Sequence, residues 1–219
     1  MALSSNAVPL AAGTGLEAFR KALSTVCLEL ANDVVRNGEG VAHVIRVRVH
    51  NAPTATTARA VGKSIVNSPL FKCAVYGNDP NVGRLVAAIG KCLGAMPGGG
   101  AVDTSRVQLT MGGRVIFKNG SFALDGEAEN ALIAHLKAAQ LWESSPRVRA
   151  GAKATSTNSS GSYALRSEDV SFETPLAFPP HERCVEIDVD LGQSGGAEAT
   201  VLGADLTYEY VAENGAYRS

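Results

Sequence analysis

The chain has 219 residues, 45% of them hydrophobic and 19% charged, with a mean hydropathy of +0.04. That is enough apolar material for a sizeable core, in one large domain or two small ones, and it excludes a wholly disordered polypeptide. Lys and Arg total 20 against 21 Asp and Glu, a net charge of −1, so no overall cationic field recruits nucleic acid or an anionic membrane.

No apolar run approaches the roughly 18 residues a bilayer span requires. The opening stretch, residues 1–15, has no basic residue ahead of its mild apolar segment, so no targeting signal is read. A soluble, cytoplasmic protein is expected. Residues 16–36 carry Leu16, Phe19, Leu23, Val26, Leu30 and Val34 at three- and four-residue steps, which predicts an amphipathic helix ended by Asn37-Gly38. The period then becomes two: Ile45, Val47 and Val49 alternate with Arg46, Arg48 and His50, a half-buried strand. Thr54 is a predicted cap for a second helix running to about Val66, stopped by Asn67-Ser68-Pro69.

Residues 70–76 (LFKCAVY) predict a buried strand, and residues 83–93 a third helix broken by Pro97 and Gly98-Gly99-Gly100. Val107, Leu109 and Met111, then Val115 and Phe117, alternate as strands, with Gly112-Gly113 and Asn119-Gly120 as hairpin signals. A fourth helix spans about Gly126 to Trp142. The segment 143–183 is rich in Ser, Thr, Gly and Ala and aperiodic, as a flexible insertion or linker would be. Val185, Ile187, Val189 and Leu191 alternate with Glu186, Asp188 and Asp190 as a clean amphipathic strand, and 197–211 forms a final strand. The expected architecture is an α/β (α+β layered) domain with a mixed sheet packed with helices. Residues 1–142 make the main domain, 143–183 the insertion, and 184–219 the strands and tail that complete the same domain.

The four cysteines and four histidines lack C-x-x-C and H-x-x-x-H spacing, so no metal site is predicted, and the cysteines read as reduced and mostly buried. No G-x-S-x-G elbow, Walker sequence or G-x-G-x-x-G fingerprint is present, and the triple glycine reads as a turn. Three stretches offer more. In Arg36-Asn37-Gly38-Glu39-Gly40 a carboxylate sits between two glycines at a helix-to-strand junction, where a ligand can approach closely; from spacing alone an ordinary polar turn is the better reading. In Tyr76-Gly77-Asn78-Asp79-Pro80-Asn81-Val82-Gly83-Arg84 a helix N-terminus could favour an anion, but Asp79 or Asn81 as a plain cap is the better reading. The end of the chain, Tyr208 to Ser219, carries three tyrosines and reads as docked, placing Asn214 and Ser219 somewhere definite.

Taken in order, LANDVVRNGEGVAHVIRVRV (30–49), IVNSPLFKCAVYGNDPNVGRLVAAIG (65–90) and ADLTYEYVAENGAYRS (204–219) resemble the β chain of ornithine acetyltransferase, the bifunctional glutamate N-acetyltransferase of arginine biosynthesis. The similarity runs from about 16 to 140 and from 184 to the end. It implies that family's β-chain fold and an acetyl transfer from N-acetylornithine to glutamate through an acetyl-threonine intermediate. In that family the nucleophile is the threonine freed when the precursor cuts itself into α and β chains, with its own amine available as base. Donors from the α chain form the oxyanion hole. No metal or bound cofactor is implied, and some members accept acetyl-coenzyme A as co-substrate. A eukaryotic member would reside in the mitochondrial matrix.

The resemblance implies that Glu39, Asn214 and Ser219 bind substrate: a buried Glu would meet the ammonium of an amino acid, while amide and hydroxyl groups bind its carboxylate. No catalytic residue is assigned to this chain. Departures from the family are Val82 in place of Trp, Asn37 in place of an acidic residue, and Asn78 where Glu is common. The family's Ala-Thr-Met-Leu-like cleavage junction is absent, and Ala55-Thr56 is rejected because it lies within a predicted helix. The expected partners are therefore the small-molecule substrates and an α chain or upstream segment, in a hetero-oligomer. The rival expectation is a catalytically inactive amino-acid-binding or assembly module that kept the fold.

Overall fold

The computed structural model describes residues 13–96, 102–141 and 180–216. Helices α1 (Thr14–Arg36), α2 (Ala55–Val66), α3 (Pro69–Tyr76), α4 (Val82–Ala95), α5 (Gly126–Ala139) and α6 (Tyr208–Ala216) accompany strands β1 (Val44–Ala52), β2 (Gln108–Met111), β3 (Arg114–Lys118), β4 (Ser121–Phe122), β5 (Val185–Asp190) and β6 (Ala197–Ala204). The strands form one mixed sheet in the order β4-β3-β2-β5-β1-β6. Only β1 and β5 pair in parallel, with Val47 opposite Ile187 and Val49 opposite Val189; the other pairings are antiparallel. The mixed α/β architecture is thus the one expected.

Strand alternation decides which face is dry. Ile45, Val47, Val49, Val185, Ile187 and Val189 are buried and join residues of α2, α3 and α4 in the main core. On the other face Arg46 pairs with Glu186 at 3.2 Å, and Arg48 with Glu186 at 3.2 Å and Asp188 at 3.9 Å. These cross-strand ion pairs are partly solvated and fix register more than they add stability. Both hairpins turn through consecutive left-handed residues, Gly112-Gly113 (φ 53° and 78°) and Asn119-Gly120 (φ 53° and 74°), the backbone of a type I′ turn.

Several expectations need correction. Residues 70–76 are helical, because Ser68 Oγ accepts from the Phe71 amide and Pro69 presets the φ of the first helical turn. A short apolar run has no periodicity to separate strand from helix, and here Phe71, Ala74 and Val75 are the buried residues. The final strand stops at Ala204, and 208–211 belong to α6, whose first turn is capped by Thr207: its Oγ1 accepts from the Tyr210 amide at 3.0 Å. In β3 the dry residue is Ile116 rather than Val115, because the register shifts opposite Leu109 and Thr110. Cys184 is buried, but Cys27 and Cys73 are exposed and Cys92 is intermediate; all four are free thiols. Finally, α1 is a helix, yet its apolar stripe is open, with Val34 75% and Leu30 59% exposed. The expected insertion, the triple glycine, Trp142 and Ser219 lie wholly or largely outside the described residues.

Candidate functional site

Helix α1 ends where Asn37 N donates to Asp33 O, and the chain turns through Gly38-Glu39-Gly40 into β1. Gly40 has φ 64°, and a Cβ there would meet the Tyr210 amide nitrogen at 2.5 Å. Glycine is therefore required twice over, for its backbone conformation and for the close approach of α6. Thr207 Oγ1 donates to Gly40 O at 2.7 Å while capping α6, so one hydroxyl fixes both the turn and the start of the helix.

Below this contact His43 and Asp205 form a fully buried pair, Nδ1 to Oδ2 at 2.8 Å. Asp205 also accepts from the Ala42 amide at 3.1 Å, and its own amide donates to His43 O at 3.0 Å. The second ring nitrogen of His43, Nε2, is buried and without a hydrogen-bond partner among the described residues. With both oxygens engaged, Asp205 ties the chain after Gly40 to the chain before α6 and sets the imidazole's orientation.

The consequence is that Glu39 and Asn214, 175 residues apart in sequence, meet: Asn214 Nδ2 lies 3.5 Å from Glu39 Oε2 and donates to Tyr210 O at 2.9 Å. The acidic turn and the C-terminal helix share one face of the molecule. Both side chains are exposed, so Glu39 is not the buried carboxylate expected. Tyr76, at the end of α3, reaches the same helix. Its hydroxyl donates to Glu209 Oε2 at 3.2 Å and its ring stands edge-on to Tyr208 at 5.9 Å. Burial and the Glu209 carboxylate both raise the Tyr76 pKa, keeping that donor protonated.

In the second stretch singled out by sequence, the plain reading holds: Asn81 Oδ1 caps α4 by accepting from the Arg84 amide at 3.1 Å. Asn78 takes a left-handed φ of 55°, with its Oδ1 buried and unpartnered among the described residues. Sequence reasoning gave no role to His43, Asp205, Thr207 or Tyr76. An Asp two residues before a Thr, just ahead of a tyrosine-rich end, was the available signal for the cap. Nothing in the spacing announced the His43–Asp205 pair. Among the described residues no cluster of His, Cys, Asp and Glu is placed to hold a metal ion, and no helix is long and apolar enough to cross a membrane.

A mixed sheet with one helix-covered face, joined to a terminal helix that closes on a Gly-Glu-Gly turn, defines a class of layered α/β protein that comparison makes specific. The chain belongs to the ArgJ family, whose model matches residues 1–219. It is 33% identical to the arginine biosynthesis bifunctional protein ArgJ of Bacillus licheniformis, an alignment covering 92% of this chain and 36% of that protein. With the ArgJ of Thermosynechococcus vestitus the identity is 32% over 96% of this chain and 41% of the relative. A mitochondrial ArgJ of Cryptococcus neoformans is 34% identical, again over about a third (34%) of its length. The fold is similar to the crystal structure of an ArgJ from Bacillus halodurans, with TM-score 0.64 and 28% identity over 94% of this chain and 72% of that one. The chain thus spans about two fifths or less of the curated relatives it matches.

Proposed function

We propose that this chain supplies the substrate-binding part of an acetyltransferase of arginine biosynthesis, which moves acetyl from N-acetylornithine to glutamate. The observation that carries this reading is the meeting of Glu39 and Asn214 across the Gly40–Thr207 junction, inside a chain of the ArgJ family. An amino-acid substrate brings an ammonium and a carboxylate. The Glu39 carboxylate suits the cation, while the Asn214 amide, joined by Ser219, offers donors to the anion. At 3.5 Å the Glu39–Asn214 contact is loose, so a substrate group can enter between them with little to displace.

In this reading the acetyl-threonine intermediate forms on a segment outside these residues, and the acetyl group then passes to the glutamate amine. An exposed Glu39 and an open apolar stripe along α1 both fit a second polypeptide segment that covers this face and encloses the site. No metal or bound cofactor enters the proposal, and acetyl-coenzyme A is a candidate co-substrate.

The test is direct. The purified chain is incubated with N-acetylornithine and glutamate, with and without the upstream segment of a family member. Transfer only in the reconstituted pair is expected, and Glu39→Gln should lower kcat/KM roughly ten- to a hundredfold, the scale of one charged hydrogen bond. Activity from the chain alone would place the nucleophile here instead. A reconstituted pair that binds glutamate but transfers nothing would make the chain a binding module.

A further inference from the structure

Helices α2, α3 and α4 enclose a groove of about 580 Å³ whose lining carries Lys63, Arg84 and Lys91 and no carboxylate. It shares no lining residue with the Glu39–Asn214 contact. Helical geometry explains the grouping. Arg84, Ala87 and Lys91 recur at three- and four-residue steps on one stripe of α4, and Lys63 and Asn67 do so on α2. Ser64 Oγ donates to Ala88 O at 2.7 Å, which locks the two stripes face to face. Small residues at Gly83, Ala87 and Ala88 keep the floor open between the cations.

The charges are also uncommitted. Neither Lys63, Arg84 nor Lys91 makes an ion pair among the described residues. Asp79, the acid close in sequence, is held by Asn81 Nδ2 at 3.0 Å. Arg84 is instead aimed by its own hydrogen bond, Nη1 to Leu70 O at 2.9 Å, its other guanidinium donors having no partner among the described residues. The N-terminus of α4 opens on the same groove, adding its positive dipole end. Three like charges held around one concavity, in a chain whose net charge is −1, repel each other unless an anion sits between them.

We propose that this groove binds a small ligand bearing a diphosphate, of the nucleotide class. Two adjacent phosphates match a rim of one forked and two point-like cations, and the volume lies in the range of small-molecule sites. Pro69 and the exposed Leu70 offer an apolar shoulder beside the cations for the organic part of such a ligand.

The experiment uses the 219-residue chain and three probes: inorganic phosphate, pyrophosphate and adenosine diphosphate. Calorimetric titration is expected to give submillimolar affinity for the two diphosphates, weaker binding of phosphate, and a loss of affinity with rising salt. The double variant Lys63→Gln/Lys91→Gln, which changes two exposed side chains, should bind at least about tenfold more weakly, with melting unchanged and Lys118→Gln binding as wild type. Pyrophosphate matching adenosine diphosphate assigns the affinity to the phosphates; tighter adenosine diphosphate adds a contribution from the organic body. Both outcomes support the site. A readout needing no variant is amine labelling followed by mass spectrometry, in which pyrophosphate should protect Lys63 and Lys91 but not Lys118. Absence of diphosphate binding up to about 5 mM, weaker than the millimolar floor of useful affinity, overturns the proposal. So does binding that survives the double variant, or labelling that pyrophosphate leaves unaltered. None of these results depends on acetyl transfer, so this site and the proposed function stand or fall separately.

Discussion

At the scale of single residues, Gly40 is the point on which the candidate site turns. Gly40→Ala would force a side chain into a left-handed backbone and against the Tyr210 amide. The expected loss is about 2 kcal/mol or more of stability, read by denaturant titration, with α6 released before the rest of the fold in hydrogen exchange. Thr207→Val keeps the shape but removes both the donor to Gly40 O and the cap of α6. About 1–2 kcal/mol is expected to be lost, together with the Glu39–Asn214 contact on which the proposed substrate binding rests. Asp205→Asn leaves a weaker partner for a fully buried imidazole and should cost more than any exposed pair on the charged sheet face. A melting comparison of Asp205→Asn with Glu186→Gln tests this order.

Elements show where the sequence was readable and where it was not. Strands β1 and β5 were legible because strict alternation of Val and Ile with charge admits one face only, and the same residues are the buried ones. Helices α2 and α4 were legible from their caps and breakers, Thr54 and Asn81 each accepting from the residue three further on. Helix α3 was not, since eight residues of apolar side chains satisfy either state until Ser68 and Pro69 decide it. Glu39 and Asn214 were named from family likeness, whereas the machinery that brings them together, His43, Asp205 and Thr207, depends on tertiary neighbours that spacing does not encode.

The packing of α5 against β5 carries a pH dependence. His135 Nε2 accepts the Glu186 amide at 3.2 Å, a bond that requires the neutral ring, and burial lowers the His135 pKa from 6.5. The unfolded chain takes up a proton as pH falls through about 6.5 while the native state resists it. Stability should therefore be full above that pH and decline below it. Thermal melts between about pH 5 and 7.5 are expected to show this slope, and His135→Gln should flatten it.

For the molecule as a whole, the open stripe of α1 is the largest departure from what an amphipathic helix predicts. Phe19, Val26, Leu30 and Val34 are 48%, 50%, 59% and 75% exposed, an apolar surface that globular chains ordinarily cover. If a second segment covers it, as proposed above, Leu30→Glu with Val34→Glu should leave the isolated chain's melting within about 0.5 kcal/mol of wild type. The same change should abolish co-purification with the upstream segment. Co-purification that survives would place the joint elsewhere.

The strand order has a further consequence for how this protein is made. Strand β1 lies between β5 and β6, which come from residues 185–204, far later along the chain. Until the ribosome has delivered that late stretch, a valine-rich ribbon waits with both of its edges bare. The nascent polypeptide must carry this adhesive segment until those strands emerge, a burden that favours chaperone engagement and makes premature termination costly.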